Sequence, residues 1–228
     1  MKWFGQIGVS LALLSLPALA TIVGTQHDLG TGYGGDNDEV CVYCHTPHGS
    51  NQGYDGVPLW NKPLTSTQFT MYGASAPGVP GETLAGTQTD PAPTGPSMAC
   101  LSCHDGVSAM NSVVNAPGSG GYSPDGTYIG NNSHLPKTMP AMEIIAIGLG
   151  GDLTNDHPIS IPYIEGRAGL RPLNTPITGW NNADTIADLL RDGKVQCVSC
   201  HDPHDPQWGR YLRHTNRGSA LCLTCHEK

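Results

Sequence analysis

Residues 197–204 read Cys197-Val198-Ser199-Cys200-His201-Asp202-Pro203-His204. Residues 41–48 read Cys41-Val42-Tyr43-Cys44-His45-Thr46-Pro47-His48. The core of this pattern recurs as Cys100-Leu101-Ser102-Cys103-His104 and Cys222-Leu223-Thr224-Cys225-His226. All 8 cysteines of the chain fall in these four CxxCH motifs, and none is left over. CxxCH is the attachment pattern of c-type haem. Two thiols three residues apart reach the two vinyl groups on one porphyrin edge, and the adjacent His is set under the iron as proximal ligand. A disulfide framework or a pair of Cys₄ zinc sites would also consume the cysteines, but neither gives a reason for a His after every pair. The motifs therefore predict four covalently bound haem c groups. Their thioethers come from Cys41, Cys44, Cys100, Cys103, Cys197, Cys200, Cys222 and Cys225, and their proximal ligands are His45, His104, His201 and His226.

Composition agrees with that reading. The 228 residues include 30 Gly and 19 Pro but only 2 Phe, and 13% are charged. Such a chain is poor material for a large side-chain core, so a conventional α/β enzyme is not expected. Each haem buries about 400 Å² of apolar surface, worth on the order of 10 kcal/mol as an upper bound. Four haems would let a loop-rich chain be compact. The net charge of −8 excludes nucleic-acid binding through a basic face.

Of the 10 histidines, His27, His48, His134, His157, His204 and His214 are not proximal. His48 and His204 each follow a proximal His by three residues. That offset cannot wrap to the opposite face of the same porphyrin, so each must serve a different haem. His157 lies in the rigid turn Asn155-Asp156-His157-Pro158. His27, His48, His157 and His204 form the expected distal set; His134 and His214 are read as distal ligands or as surface histidines alike. Met98, Met110, Met139 and Met142 are read as gap-fillers against porphyrin edges.

Met1-Lys2, the apolar run Ile7 to Leu16 and Ala18-Leu19-Ala20 read as a signal peptide over residues 1–20. No other stretch nears the ~20 apolar residues of a membrane-spanning helix. The expected product is an exported chain without a membrane span, residues 21–228, in two haem-pair modules of about 21–140 and 141–228. The pairing CVYCHTPH…PLWN with CVSCHDPH…PQWG suggests an internal repeat that aligns Trp60 with Trp208, both beside haem.

Regular structure is expected to be sparse. Asp184 to Asp192 reads as a helix ended by Gly193, and a short helix is expected at each of the last two motifs. Met142 to Ile147 and Ile159 to Ile164 read as short strands. Residues 73–97 and 115–140 read as surface loops. Gly30 to Gly35 fits GxGxxG by letter, but no strand precedes it, so the nucleotide reading is discarded. Asp36, Asp38 and Glu39 read as a solvated acidic loop rather than a calcium site.

Taken with His27-Asp28-Leu29, Pro58-Leu59-Trp60-Asn61 and Asp152-Leu153-Thr154-Asn155-Asp156-His157, the four motifs resemble the multihaem cytochromes c with doubled CxxCH motifs. The layout is similar to that of outer-surface tetrahaem cytochromes, whose relatives polymerise into extracellular filaments. The resemblance implies a fold of coil and loops with a few short helices and minimal sheet, wrapped around a stacked chain of four bis-histidine haems. It implies electron transfer without substrate chemistry, with redox cytochromes or extracellular acceptors as partners. A periplasmic shuttle, or a haem enzyme converting nitrite or hydroxylamine, are the alternatives. His27 sits before a glycine-rich tether and reaches a haem of its own chain or one of the next subunit. Crossing to the next subunit, with head-to-tail self-association, is the expectation.

Overall fold

The structure is a computed structural model that describes residues 22–32, 39–118, 121–130, 136–139 and 145–227. The expected signal peptide (residues 1–20), His134, Met142, Asp36 and Asp38 lie outside the described residues.

Most of the described chain is turn and coil. The helices are α1 (Leu29–Gly32), α2 (Gly95–His104), α3 (Cys197–Cys200) and α4 (Ala220–Cys225). The last three each carry a CxxC pair. Helix α2 starts at Gly95-Pro96, where a proline costs nothing because the first-turn N–H groups have no intrahelical acceptor. It takes residues 95–97 out of the expected surface loop. The rest of that loop is ordered too: Gly81 N donates to Thr89 Oγ1 at 2.8 Å, and Gly81, Thr87 and Thr89 are buried.

Residues 115–140 also depart from the loop expectation. β1 (Ser112–Ala116) and β2 (Gly121–Tyr128) pair antiparallel, with Ser112 opposite Tyr128 and an irregular register between Val113 and Asn115. Val113 and Val114 are fully buried, which supplies the apolar burial that the glycine-rich β2 lacks. The expected strand Ile159 to Ile164 shrinks to β3 (Ile161–Pro162), paired with β4 (Lys194–Val195). Ile145 to Ile147 is not a strand.

The expected helix Asp184 to Asp192 is a correction. Only a 3-10 turn forms, over Ile186–Leu189. Asp188 Oδ2 accepts bonds from Thr185 N at 2.8 Å and Asp184 N at 3.0 Å, which tightens the start. Leu190 is then extended at φ −88°, ψ 160°, because the chain must turn back to deliver β4.

Buried apolar side chains form separate islands instead of one core. Phe69, Met71, Leu101 and Leu153 make one; Tyr43, Val113 and Ile129 a second; Tyr163, Ile186 and Leu190 another. A domain of this size usually has one contiguous core. The islands flank the CxxCH motifs: Cys44 packs on the second, and Cys225 on the third. Lys194 Nζ bonds both carboxylate oxygens of Asp90 at 2.8 and 2.6 Å, tying the long 73–94 segment to the C-terminal half.

Candidate haem-attachment sites

The fourth motif lies on a cavity. Cys222, Cys225 and His226 line a space of about 390 Å³ together with His157, Tyr163 and Leu189. The rings of His157 and His226 lie edge to face, with centroids 6.4 Å apart and planes at 68°. Two more pairs have the same spacing: His45 and His204 at 6.1 Å, and His27 and His104 at 6.2 Å. A metal–imidazole bond is about 2.0–2.1 Å, and a ring centre lies about 1.1 Å behind its nitrogen. Two imidazoles trans across one iron therefore have centroids about 6.3 Å apart. Each pair consists of one motif histidine and one histidine from a distant segment.

Ring orientation agrees with the spacing. Nδ1 of His45 bonds Pro58 O at 2.9 Å, Nδ1 of His104 bonds Ile145 O at 2.6 Å, and Nδ1 of His201 bonds Arg210 O at 2.9 Å. Nδ1 of His27 bonds Pro203 O and Nδ1 of His157 bonds Pro158 O, both at 3.0 Å. A backbone acceptor at Nδ1 fixes the tautomer and leaves Nε2 free to bind a metal. Burial holds His27, His104 and His226 below the ordinary imidazole value, and the neutral ring is the ligating form.

Each motif is braced by a short strap of backbone. His45 bridges Trp60, His201 bridges Leu212 and His226 bridges Leu170, all antiparallel. At the first motif Asn61 N donates to Cys44 O at 2.8 Å, and Asn61 Nδ2 donates to Val42 O at 2.7 Å. At the third, Arg213 N donates to Cys200 O at 2.8 Å and its Nη1 to Val198 O at 3.0 Å. At the fourth, Arg171 N donates to Cys225 O at 2.9 Å and its Nε to Leu223 O at 3.1 Å. One residue thus closes the second-Cys carbonyl with its backbone and the carbonyl after the first Cys with its side chain. The residue two before it has positive φ in every case: Leu59 at 56°, Tyr211 at 56° and Gly169 at 71°. Leu59 and Tyr211 hold a conformation costly for a side chain, as is common where a site over-determines the backbone. The second motif has a looser version, with Gly148 N donating to His104 O at 3.1 Å.

These straps correct the expected repeat register. The structural equivalent of Trp60 is Leu212, not Trp208. Trp60 packs edge-on to His45 at 5.4 Å, whereas Trp208 lies 6.3 Å from His214.

Of the expected distal set, His27, His157 and His204 each face a motif histidine. His27 lies beside His104 of its own chain, with centroids 6.2 Å apart. Its ring stacks on Tyr211 at 4.1 Å and 14°, and its backbone N donates to Tyr211 Oη at 3.0 Å. His48 is exposed, and its carbonyl accepts from Thr46 Oγ1 and Asn115 Nδ2. Among the described residues neither His48 nor His201 faces a second imidazole at the 6 Å spacing. His214 lies flat against Trp180 at 5.2 Å and 12°. Tyr211 and the strap residues were missed in the sequence, because no motif marks them and their distance from the CxxCH differs at each copy.

The eight thiols form no disulfide. Burial pushes Cys44 up to about 12, with Lys62 opposing and Cys103 adding. A hydrogen bond to Cys197, together with burial, raises Cys100 well above the usual thiol value. Burial pushes Cys200 up to about 12, and Cys225 adds to it. The first motif thus adjoins the second, the second the third, and the third the fourth. Free paired thiols, apolar walls, a cavity holding a motif beside a facing histidine and rings at the trans-axial spacing all fit haem.

No curated protein matches the chain. Residues 190–228, which hold the third and fourth motifs, match the family model described as Doubled CXXCH motif. That match, together with the coil-rich fold and the four motifs, supports a multihaem c-type cytochrome that binds haem covalently and transfers electrons.

Proposed function

We propose that the chain conducts electrons through four covalently bound haems, each ligated by two histidines, and performs no substrate chemistry. The observation that carries this reading is the 6.1–6.4 Å spacing of three histidine pairs, each joining a motif histidine to a remote one. The ligand pairs are His45 with His204, His104 with His27, and His226 with His157. The fourth is His201 with His48: the first and third motifs share one strap geometry, and His204 already reaches from the third motif to the first.

Bound haem supplies a one-electron couple. The cysteine pairs would hold each haem covalently. The histidine pairs would ligate its iron and leave no open site for a substrate. The succession of adjoining motifs supports an electron path from the first site to the fourth. No described helix is long and apolar enough to cross a membrane. The signal-like residues 1–20 support export, with redox cytochromes or extracellular acceptors as partners. The finer form of the proposal is a conduit at the cell surface that assembles head to tail into a filament. Electron microscopy of sheared cell-surface material separates it from a periplasmic shuttle.

The test of ligation is spin state. The oxidised protein is expected to be wholly low-spin, and carbon monoxide to bind the reduced form poorly. His157→Ala should yield one high-spin haem per chain. Rapid stoichiometric carbon monoxide binding by the unsubstituted protein would instead favour a haem enzyme.

A further inference from the structure

Two buried cations lie behind haem motifs without an ion-pair partner among the described residues. Lys62 is 1% exposed and Arg213 6%. Lys62 Nζ donates to the carbonyls of Met110 and Ser112, the latter at 3.0 Å. Arg213 donates to Val198 O at 3.0 Å and Asn181 O at 2.9 Å, and its guanidinium lies 5.9 Å from the Trp180 ring centre. Among the described residues neither is ion-paired with a carboxylate. Burying an unpaired charge is costly, so a chain with few charged residues holds two such cations at a sacrifice in stability.

Their positions correspond. Lys62 follows Asn61, which braces Cys44 and Val42 of the first motif. Arg213 is itself the brace of Cys200 and Val198 in the third. At the fourth motif the brace is Arg171, but there the charge is half-exposed and neutralised by Glu227 at 3.5 Å. The second motif has the opposite sign beside it: Asp105 is fully buried and accepts from Thr65 Oγ1, Thr67 Oγ1 and Ser108 Oγ at 2.7–2.9 Å.

We propose that Lys62 and Arg213 set the order in which the haems fill. Each makes the haem of its own motif easier to reduce than the haem at Cys222 and Cys225. The proposal rests on the haem reading above. Ferric haem carries one more positive charge than ferrous, so a fixed cation in a low-dielectric surround destabilises the oxidised form and raises the potential. Electrons then rest at the first and third sites, and the second and fourth are the less readily filled stations between and beyond them.

The test is a reductive titration of the fully loaded protein with each haem followed by NMR of its methyl groups. Lys62→Met removes the charge at nearly constant length. At a fixed poise it should lower the reduced-to-oxidised ratio of the Cys41/Cys44 haem roughly tenfold, the effect of a unit charge at about 10 Å in an effective dielectric of about 20. Lys62→Arg should keep the unsubstituted ratio. Arg213→Met should do the same as Lys62→Met at the Cys197/Cys200 haem. In the unsubstituted protein those two haems should reduce before the Cys222/Cys225 haem, a comparison that stands even if a variant fails to fold. A change below twofold in Lys62→Met, an equal loss in Lys62→Arg, or first reduction at Cys222/Cys225 would overturn the proposal. Intact mass reports haem loading separately: fewer than four haems in the unsubstituted protein is a failure of the haem reading, not of the charge effect.

Discussion

Replacing Asn61 with alanine removes the brace behind the first motif. Asn61 is fully buried, and its side chain makes three hydrogen bonds. Nδ2 donates to Val42 O at 2.7 Å and to Asn115 O at 3.1 Å, and Oδ1 accepts from Asn115 N at 2.9 Å. The substitution leaves two carbonyls and one N–H without these partners. Each orphaned buried group costs about 1–3 kcal/mol. Val42 and Asn115 are only half-buried, so water entering the vacated space recovers part of the loss. The expected destabilisation is about 2–4 kcal/mol, a large share of the roughly 5–15 kcal/mol of a typical domain. Guanidinium unfolding of the haem-loaded protein, followed by circular dichroism, measures it. Asn61→Asp keeps the acceptor for Asn115 N but loses both donors, so it should also be destabilising. A loss below about 1 kcal/mol for Asn61→Ala would refute the brace, and with it the claim that one strap geometry supports the first, third and fourth motifs.

Tyr211→Ala removes the ring stacked on His27 and the hydroxyl that its backbone N–H bonds; a fraction of one haem should become high-spin in the electron paramagnetic resonance spectrum. His214→Ala should leave the spectrum low-spin, because His214 packs on Trp180 rather than opposite a motif histidine. Gly148→Ala would put a Cβ 2.9 Å from both Leu101 and Phe69. It should cost about 1–3 kcal/mol in the same unfolding assay.

How much of this was legible in the sequence depends on the kind of signal. The CxxCH spacing is local chemistry, so the four motifs and the coil-rich character could be read directly. The turn at His157 and the His-x-x-His offsets pointed to residues that the fold brings opposite motif histidines or leaves at the surface. Other features depend on tertiary contacts. β2 pairs with a β1 whose Val113 buries against Tyr43 of the first motif, so its own Gly- and Pro-containing sequence looks like loop. Helix α2 follows a proline-rich stretch that hides its start. The helix expected at Asp184 to Asp192 has the right apolar spacing, but only a 3-10 turn follows the Asp188 cap, and β4 claims the following chain. The repeat was misaligned because Trp60 and Trp208 match by letter. The strap is defined by φ and backbone bonds, and it lies four residues closer to the motif histidine in the third copy than in the first. The stack of His27 on Tyr211 joins residues far apart in the chain, so nothing local reveals it.

The most direct test of the central claim is the intact mass of the purified, matured protein after extraction of non-covalent haem. The account predicts the mass of residues 21–228 plus four haems, one for each motif ending in His45, His104, His201 and His226. Three or fewer covalent haems in fully matured protein would contradict it.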